Sequence, residues 1–252
     1  MIPKIIHYCW LSNDPIPEKL KKCMKSWKKK LPDYEIIKWD FNCFEKESSL
    51  WVKQAFENKK YAFAADYIRL FAIYHYGGIY LDSDVEVLKS FNPFLDSDHM
   101  VGWEVKNYGI EAAVIGAEKG AKWVEECLKY YSNRPFIKDD GTFDTRTLPT
   151  ILFERLNVCG YIQSSNLDAK ESAYSWKIYP KEYFSPKSYK DGVIYKTKNT
   201  VTIHHFAGSW LPWDGKLRNR FLWLANNYPR LYYYCIYLPI YELHKYGIIG
   251  NS

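Results

Sequence analysis

Residues 61–84, YAFAADYIRLFAIYHYGGIYLDSD, decide the fold of this 252-residue chain. Residues 61–76 are apolar nearly all round, which predicts a buried helix. Two glycines at 77–78 end it, as glycine commonly does at helix C-termini. Residues 79–81 then predict a short buried strand that runs into an Asp-Ser-Asp triplet. Such a helix followed by such a strand is typical of an α/β domain, in which ligands bind at the carboxyl ends of the strands.

Segments on both sides extend this pattern. Before residue 61 the hydrophobic periodicity predicts strand, helix, strand and helix, in that order, at 5–10, 17–31, 35–39 and 48–58. After residue 84 we predict strands at 99–104, 112–116 and 201–206, and helices at 119–131, 148–156 and 216–246, the last interrupted at Pro229 and Pro239. This order predicts an α/β fold with a mainly parallel central sheet.

The composition is that of a globular protein with an excess of aromatic residues. Hydrophobic residues make up 47% and charged residues 25%, which excludes a disordered chain and a coiled coil. Aromatic residues reach 18%, and Tyr and Trp also suit sugar faces, bases and membrane interfaces. The net charge of +6 fits phosphate or acidic lipid but is too small to indicate nucleic-acid binding. Much of it is local, because lysines crowd one early segment: Lys19, Lys21, Lys22, Lys25, Lys28, Lys29 and Lys30.

The cysteines and the N-terminus favour a cytoplasmic protein. None of the six cysteines lies in a C-x-x-C pair or has zinc-ligand spacing, so we expect reduced thiols. The first residues enter a strand pattern at once, which predicts the absence of a signal peptide. No uncharged apolar stretch reaches the roughly 20 residues that a membrane-spanning helix needs.

Asp82 and Asp84 are the first candidate site. Residues two apart in an extended chain face the same side, roughly 7 Å apart. Two carboxylates at that spacing can both point at one hard divalent cation, directly or through water. The alternative is a solvated acidic turn, but the buried strand before the pair favours the metal site.

Asp66 and Arg69 are the second candidate site. They lie three residues apart on one face of the predicted buried helix, and they are almost its only charges. Buried charges must be paired or liganded. Two readings stay open: a structural ion pair, or a polar cleft in which both side chains hold hydroxyls and phosphate.

Three further positions carry candidate roles. His205 lies at the end of a strand pattern and is predicted as a third metal ligand, and Trp210 is predicted to present an indole N–H to a phosphate. A strand-end histidine and a core tryptophan are the alternatives. Trp10, at the end of the first strand, is predicted to stack on a nucleobase, or else to fill the core. Asn42 is predicted to bind the base or ribose, or else only to form a turn.

Three segments resemble the DXD-containing glycosyltransferases of family thirty-two: IPKIIHYCW (2–10), AFAADYIRLFAIYHYGGIYLDSDVEVLKS (62–90) and HHFAGSW (204–210). That family includes yeast Golgi mannosyltransferases, glucosyltransferase domains of clostridial toxins and bacterial capsular polysaccharide enzymes. The resemblance implies a GT-A fold, a nucleotide-sugar donor, Mn²⁺ or Mg²⁺, a saccharide acceptor and retention of anomeric configuration.

The resemblance also implies metal ligands. Asp84 should bind the ion directly, and Asp82 should bind it through water and touch the ribose. The toxin domains have a glutamate five residues before their tryptophan, where this chain has His205. A T-G-P-like acceptor motif of the family lacks its glycine here, at residues 147–149.

Donor contacts follow from the same resemblance. Asp66 and Arg69 should hold the hydroxyls of the donor sugar, with Arg69 also near the diphosphate. Trp10 should stack on uracil, Tyr80 should flank the nucleoside, and Trp210 should reach the β-phosphate.

We therefore expect residues 1–215 to form a catalytic domain, with a nucleotide-sugar half (1–90) and an acceptor half (91–215), followed by a helical extension (216–252). The expected activity is retaining, metal-dependent transfer from a UDP-sugar to a saccharide acceptor in bacterial capsule or surface polysaccharide synthesis. The alternatives are a GDP-mannose-dependent mannosyltransferase, a non-catalytic nucleotide-sugar-binding protein, and a metal-dependent hydrolase of nucleotide sugars.

Residues 231–241, LYYYCIYLPIY, form an uncharged, tyrosine-rich stretch flanked by basic residues. The stretch is too short to span a bilayer, but such helices suit the membrane–water interface. Three readings are open: contact with the inner face of the plasma membrane, where a lipid-linked acceptor would be presented, a lid on the catalytic domain, or a homodimer contact.

Overall fold

The computed structural model describes residues 1–162, 176–188, 192–208, 217 and 221–245. The chain divides into two units, one of residues 1–186 with 196–205 and one of residues 187–195 with 206–252. The predicted domain boundary at residue 215 lies outside the described residues, and the predicted division of the chain stays a prediction.

The first unit alternates strands and helices along the chain. Its strands and helices are β1 Ile5–Cys9, α1 Glu18–Lys30, β2 Glu35–Trp39, α2 Leu50–Glu57, α3 Tyr61–Tyr76, β3 Gly78–Leu81, β4 Val85–Val87, β5 His99–Val105, β6 Gly109–Ile110, β7 Val114–Ala117, α4 Lys122–Leu128, α5 Leu148–Val158, β8 Ile178–Tyr179, α6 Lys181–Phe184 and β9 Thr202–His204. The strands and helices predicted for this unit are all present, with ends shifted by a few residues.

A seven-stranded sheet in the order β2-β1-β3-β7-β5-β6, with β8 paired to β5, forms the centre of this unit. The β1–β2, β1–β3 and β5–β8 pairs are parallel. Antiparallel pairs join β3 to β7, β7 to β5 and β5 to β6. The predicted α/β class is confirmed, and the N-terminal strands β1, β2 and β3 are parallel.

Strand β3 is buried on both faces of the sheet. Its alternate residues belong to two separate apolar clusters. Tyr80 packs in the cluster that contains Ile68 of α3, whereas Ile79 and Leu81 pack in the cluster that contains Trp27 of α1. Helices therefore cover the sheet on both sides, which explains why this strand is a continuous apolar run in the sequence.

The junction of α3 and β3 depends on glycine. The N–H of Gly77 donates to the carbonyl of Ile73 at 2.8 Å and closes the helix. Gly78 has a φ of +101°, and a Cβ atom there would lie 2.6 Å from the carbonyl oxygen of Ile5. This close approach lets β3 pair with β1 directly after the helix, so the Asp-Ser-Asp triplet emerges at the carboxyl edge of two parallel strands.

Strands β4 and β9 form a separate antiparallel ribbon. Helix α1 covers β4, because the indole N–H of Trp27 donates to the carbonyl of Val85 at 2.7 Å and the N–H of Val87 donates to the hydroxyl of Ser26 at 2.8 Å. Strand β4 was not predicted, because three residues are too few to show a period. The ribbon matters for the site, since Asp84 precedes β4 and His204 ends β9.

The second unit is helical over most of its described residues. It contains α7 Leu222–Asn227, α8 Pro229–Tyr232, a π-helical turn Tyr233–Tyr237 and α9 Leu238–Lys245. Pro229 begins α8, a position that needs no intrahelical N–H bond. Pro239 lies in a helical stretch that continues from the π-helical turn, so it does not interrupt the helix as predicted.

The tyrosines of the second unit form a ladder. The rings of Tyr233 and Tyr237 stack with centroids 5.6 Å apart, and those of Tyr237 and Tyr241 stack at 6.0 Å. Neighbouring apolar side chains are exposed, among them Leu231 and Tyr234. Among the helices of the described ranges, none has the length and apolar character needed to cross a bilayer.

Candidate active site

Asp82, Asp84 and His204 come together where β3 ends and the β4–β9 ribbon begins. Each offers one ligand atom, and these atoms all lie within 4.8 Å of one another. Nε2 of His204 is 3.5 Å from a carboxylate oxygen of Asp84. Two carboxylates and an imidazole form a donor set that suits Mn²⁺, and the carboxylates also suit Mg²⁺. These residues therefore fit the divalent ion that the sequence predicts.

The histidine in this cluster is His204 and not the predicted His205. His204 lies opposite Val85 in the ribbon and so shares the buried face of that residue. Neighbouring residues of a strand point to opposite faces, so His205 turns away and its Nε2 lies 3.0 Å from a carboxylate oxygen of Glu86. The structure thus corrects the choice of histidine in the cluster, and metal binding itself stays a proposal.

Glu111 lies behind His204, and the sequence did not predict that it belongs to the site. Only 1% of Glu111 is exposed. Its Oε1 accepts the N–H of Ala113 at 2.9 Å and lies 3.2 Å from Nδ1 of His204. A carboxylate at this position orients the imidazole so that Nε2 faces the aspartates. The pair is distant in sequence, so no spacing rule could have found it.

Charge decides the protonation of His204. Burial alone lowers the pKa of its imidazole, but the carboxylates of Asp84 and Glu111 outweigh burial and raise the pKa to about 9. Burial raises the pKa of Glu111, yet His204 more than compensates and lowers it overall. The metal-free site therefore holds a cationic imidazole at neutral pH, and a metal ion that binds Nε2 must displace a proton.

Two further ionisable groups near Glu111 were also missed. Burial raises the pKa of Glu104 to about 8, with Glu111 adding to the rise and His204 and Lys181 opposing it. Burial also lowers the pKa of Lys181, which the charges of the two glutamates partly offset. Glu104 and Lys181 are both half-buried, so this side of the site lies within reach of solvent.

Arg69 links helix α3 to the Asp-Ser-Asp triplet. Its Nη2 lies 3.0 Å from a carboxylate oxygen of Asp66 and 3.3 Å from one of Asp82, and its Nη1 donates to the carbonyl of Ala112 at 2.7 Å. Arg69 is 5% exposed and Asp66 is 8% exposed. The ion pair is therefore present, and Arg69 also contacts Asp82 of the candidate metal site. The role of the two residues toward a donor stays a prediction.

Asp66 has an unusual acidity. Burial raises the pKa of its carboxyl group, Arg69 opposes the rise and the charge of Asp82 adds to it, which leaves the pKa at about 7. Burial likewise raises the pKa of Asp82, against Arg69 and together with Asp84. At neutral pH Asp66 can therefore both donate and accept a hydrogen bond, which suits contact with a hydroxyl group.

Tyr80 has no exposed ring face for a nucleoside. It is 1% exposed, the guanidinium of Arg69 lies 4.6 Å from its ring centroid, and its hydroxyl donates to Asp82 at 3.1 Å. The role of Tyr80 beside the nucleoside stays a prediction. In this structure its ring packs against the guanidinium of Arg69 and its hydroxyl binds Asp82.

Three other residues were predicted to contact the donor. Trp10 is half-buried at the end of β1, and its indole N–H donates to the carbonyl of Asp14 at 2.9 Å. Asn42 is exposed in a turn, where its N–H donates to a carboxylate oxygen of Asp40 at 2.9 Å. Trp210 lies outside the described residues. The donor roles of all three stay predictions.

The fold and the site together define an α/β protein with an acidic, metal-type cluster at the carboxyl edge of its sheet. Residues 17–104 match the family model described as "Glycosyltransferase sugar-binding region containing DXD motif". This range contains Asp66, Arg69, Asp82 and Asp84. Over these residues the predicted resemblance to the DXD-containing glycosyltransferases is confirmed.

Relatives carry related names. The inositol phosphoceramide mannosyltransferase 3 of Schizosaccharomyces pombe is 37% identical over 134 residues, which cover 51% of this chain and 36% of that protein. A mannosyl phosphorylinositol ceramide synthase of Saccharomyces cerevisiae is 40% identical over 99 residues, which cover 38% of this chain and 26% of that protein. The matches thus span about a third of these relatives or less.

Two other similarities extend over more of the chain. An uncharacterized glycosyltransferase of Acanthamoeba polyphaga mimivirus is 25% identical over 224 residues, which cover 84% of this chain and 85% of that protein. The solved structure of the PaToxG glycosyltransferase aligns with a TM-score of 0.46 and 20% identity, over 62% of this chain and 69% of that one.

Proposed function

We propose that this chain is a metal-dependent glycosyltransferase that moves mannose from GDP-mannose to a hydroxyl of a lipid-borne saccharide or polyol. The observation that carries the proposal is the cluster of Asp82, Asp84 and His204 beside the Asp66–Arg69 pair, within a sheet whose N-terminal part matches the DXD family. The names of the yeast relatives favour mannose over the UDP-sugar and capsule role expected from the sequence.

The chemistry follows from the poor leaving ability of a nucleoside diphosphate. A divalent ion held by Asp82, Asp84 and His204 would stabilise, as a Lewis acid, the charge that develops on the departing diphosphate. Glu111 lies 3.2 Å from Nδ1 of His204, which favours the orientation that presents Nε2 to an ion. The family resemblance implies retention, and we propose that the acceptor attacks on the same face that the leaving group departs from.

Arg69 and Asp66 are placed to hold the donor sugar. Three contacts, to Asp66, Asp82 and the carbonyl of Ala112, fix the guanidinium in one orientation. A hydrogen-bond donor that is already oriented, such as this guanidinium, stabilises developing charge without reorganisation during the reaction. Asp66, with its pKa of about 7, can exchange hydrogen bonds with sugar hydroxyls as donor and as acceptor.

We also propose that the acceptor is met at the cytoplasmic face of the plasma membrane. All six cysteines are free thiols, which favours a reducing compartment. The tyrosine ladder Tyr233, Tyr237 and Tyr241 beside exposed Leu231 and Tyr234 supports contact with the membrane–water interface. Association with isolated membranes, lost on washing with detergent, is the expected result in cell fractionation.

The donor is tested with purified full-length protein and Mn²⁺. GDP-mannose, UDP-glucose, UDP-galactose and UDP-N-acetylglucosamine are compared for thermal stabilisation, since a ligand of the native state raises its stability, and for release of nucleoside diphosphate with and without a polar-lipid extract as acceptor. We expect GDP-mannose to stabilise the protein most and to be consumed mainly in the presence of acceptor.

The controls separate the alternative functions. Asp84→Asn should abolish release, whereas Asp96→Asn, at an exposed aspartate outside the cluster, should leave it unchanged. Stabilisation without release would show a nucleotide-sugar-binding protein, and full release without acceptor would show a hydrolase. Preference for a UDP-sugar would overturn the assignment of the donor.

A further inference from the structure

Helix α1 presents a dense band of positive charge. Its 13 residues include seven lysines and a single acidic residue, Glu18. All seven lysine side chains are exposed: Lys19, Lys21, Lys22, Lys25, Lys28, Lys29 and Lys30. The proposed transfer reaction uses none of these residues.

The helix directs these charges away from the fold. Cys23 and Trp27 are its buried residues, and Trp27 is tied to strand β4. Lys22, Lys25 and Lys29 are spaced three and four residues apart, so they form one stripe. At about 100° per residue this stripe lies opposite the buried side. The helix is therefore held by its apolar side, with nothing apolar left to insert into a bilayer.

Little of this charge is neutralised by the protein. Among the described residues, Lys21 is the one lysine of α1 with a carboxylate partner, Glu18, at 2.7 Å. The other six have no carboxylate oxygen within 4.0 Å in the described part of the chain. A like-charged group of this size is stabilised when counter-charges approach it from outside.

We propose that the lysine face of α1 binds the anionic surface of a lipid bilayer. Clusters of four to eight Lys or Arg on an amphipathic helix are typical of binding to anionic lipids, at about 1 kcal/mol for each charge near the surface. The exposed side of α1 has no arginine and no aromatic ring. The bidentate phosphate contacts of arginine and the base stacking of aromatic rings, which strengthen nucleic-acid binding, are therefore missing from it.

This contact is independent of the proposed transfer reaction, because it needs neither donor nor metal. It is also distinct from the tyrosine ladder of the second unit, which would bind neutral and anionic bilayers alike. Attraction to α1 should be specific for anionic lipid and should weaken with salt, since exposed charges are screened within about 10 Å at 0.1 M salt.

The test is sedimentation of the full-length protein with vesicles of phosphatidylcholine alone or with 30% phosphatidylserine. Both kinds of vesicle are used at about 0.05 and about 0.3 M salt. The triple variant Lys22→Gln/Lys25→Gln/Lys29→Gln removes the stripe, and Gln keeps a helix propensity close to that of Lys. The matched control Lys106→Gln/Lys119→Gln/Lys122→Gln removes the same charge from three lysines that are exposed outside α1.

We expect the stripe variant to bind anionic vesicles about 10- to 100-fold more weakly at low salt, while the control variant changes less than about threefold. Equal losses in both variants would show that net charge alone attracts the protein, and would overturn the proposal. Tighter binding of wild-type protein to short duplex DNA than to anionic vesicles at the same salt would also overturn it. Circular dichroism and the melting temperature confirm that each variant is folded.

Discussion

Replacing Asp66 by Asn separates a donor-binding role from a purely structural ion pair. Asp66 is 8% exposed and lies 3.0 Å from Arg69, and its pKa rises on folding from 3.8 to about 7. Asn has nearly the same shape and carries no ionisable group. Arg69 would keep its contacts with Asp82 and with the carbonyl of Ala112.

The sign of the stability change follows from proton linkage. The folded state binds the proton of Asp66 more tightly than the unfolded chain does, so this group costs stability as pH rises from about 4 to about 7, and the cost stays constant above that. The difference between 3.8 and about 7 corresponds to at most about 4 kcal/mol. Asp66→Asn removes this cost and should therefore stabilise the protein increasingly with pH.

Between pH 5 and pH 8 we expect the free energy of unfolding of Asp66→Asn, relative to that of the wild type, to increase by about 1–3 kcal/mol, or about 2–12 °C in melting temperature. Transfer should nevertheless fall by at least about tenfold, because Asn cannot replace a carboxylate that accepts hydrogen bonds from sugar hydroxyls. The assays are differential scanning fluorimetry across this pH range and the initial rate of transfer with saturating metal. Asp96→Asn serves as the control at an exposed aspartate.

One result would refute the reasoning. A variant that is less stable than wild type at pH 8, and whose folded fraction transfers sugar at the wild-type rate, would mean that Asp66 only pairs with Arg69. Loss of one partner of a buried ion pair costs about 3–5 kcal/mol, a change of the opposite sign to the one expected here.

Three further predictions concern the metal site and the turn before it. Asp84→Asn should weaken Mn²⁺ binding at least about tenfold and abolish transfer, as measured by Mn²⁺ titration; wild-type affinity in this variant would remove Asp84 from the site. Because the pKa of His204 is about 9, Mn²⁺ affinity should rise up to about tenfold per pH unit between pH 6 and 8. That slope should be lost in His204→Gln and kept in His205→Gln, and the reverse result would assign the ligand to His205. Gly78→Ala should destabilise the protein by about 1–3 kcal/mol in chemical denaturation, because its φ of +101° disfavours a side chain; an unchanged midpoint would contradict this.

Local signals in the sequence predict the centre of the fold well. Helix α3 has the predicted bounds, 61–76, because its apolar run and the glycines after it agree on where the helix ends. Strand β3 and the aspartates after it follow from the same stretch. Short pieces such as β4 and β6 have too few residues to show a period, so they were not predicted.

The site could be predicted only where its residues are neighbours in sequence. Asp66 with Arg69, and Asp82 with Asp84, lie within one turn or one strand step of each other. Glu111 contacts His204 from a distant part of the chain, and no local pattern indicates such a pair. The burial of Tyr80 beneath Arg69 depends on the packing of α3 against β3, which the identity of a strand tyrosine does not reveal.

The two strands of the β4–β9 ribbon are each fastened to an element outside it. Strand β4 is held by the indole of Trp27 and the hydroxyl of Ser26, both on α1. Strand β9 is held by the hydroxyl of Thr202, which donates to the carbonyl of Phe184 at 2.7 Å. The alignment of the two strands is thus set by side chains of α1 and of β9 itself, as well as by their own ladder.

This alignment has a consequence because the ribbon ends in two adjacent histidines. A slip of β9 by one residue would turn every side chain of the strand to the opposite face, and it would exchange His205 for His204 beside Asp84. Either register offers an imidazole to the aspartates, and in the observed one it is that of His204, whose Nδ1 lies 3.2 Å from Glu111. The register of this three-residue ribbon, held by hydrogen bonds to elements outside it, therefore determines which of the two histidines, His204 or His205, joins the site.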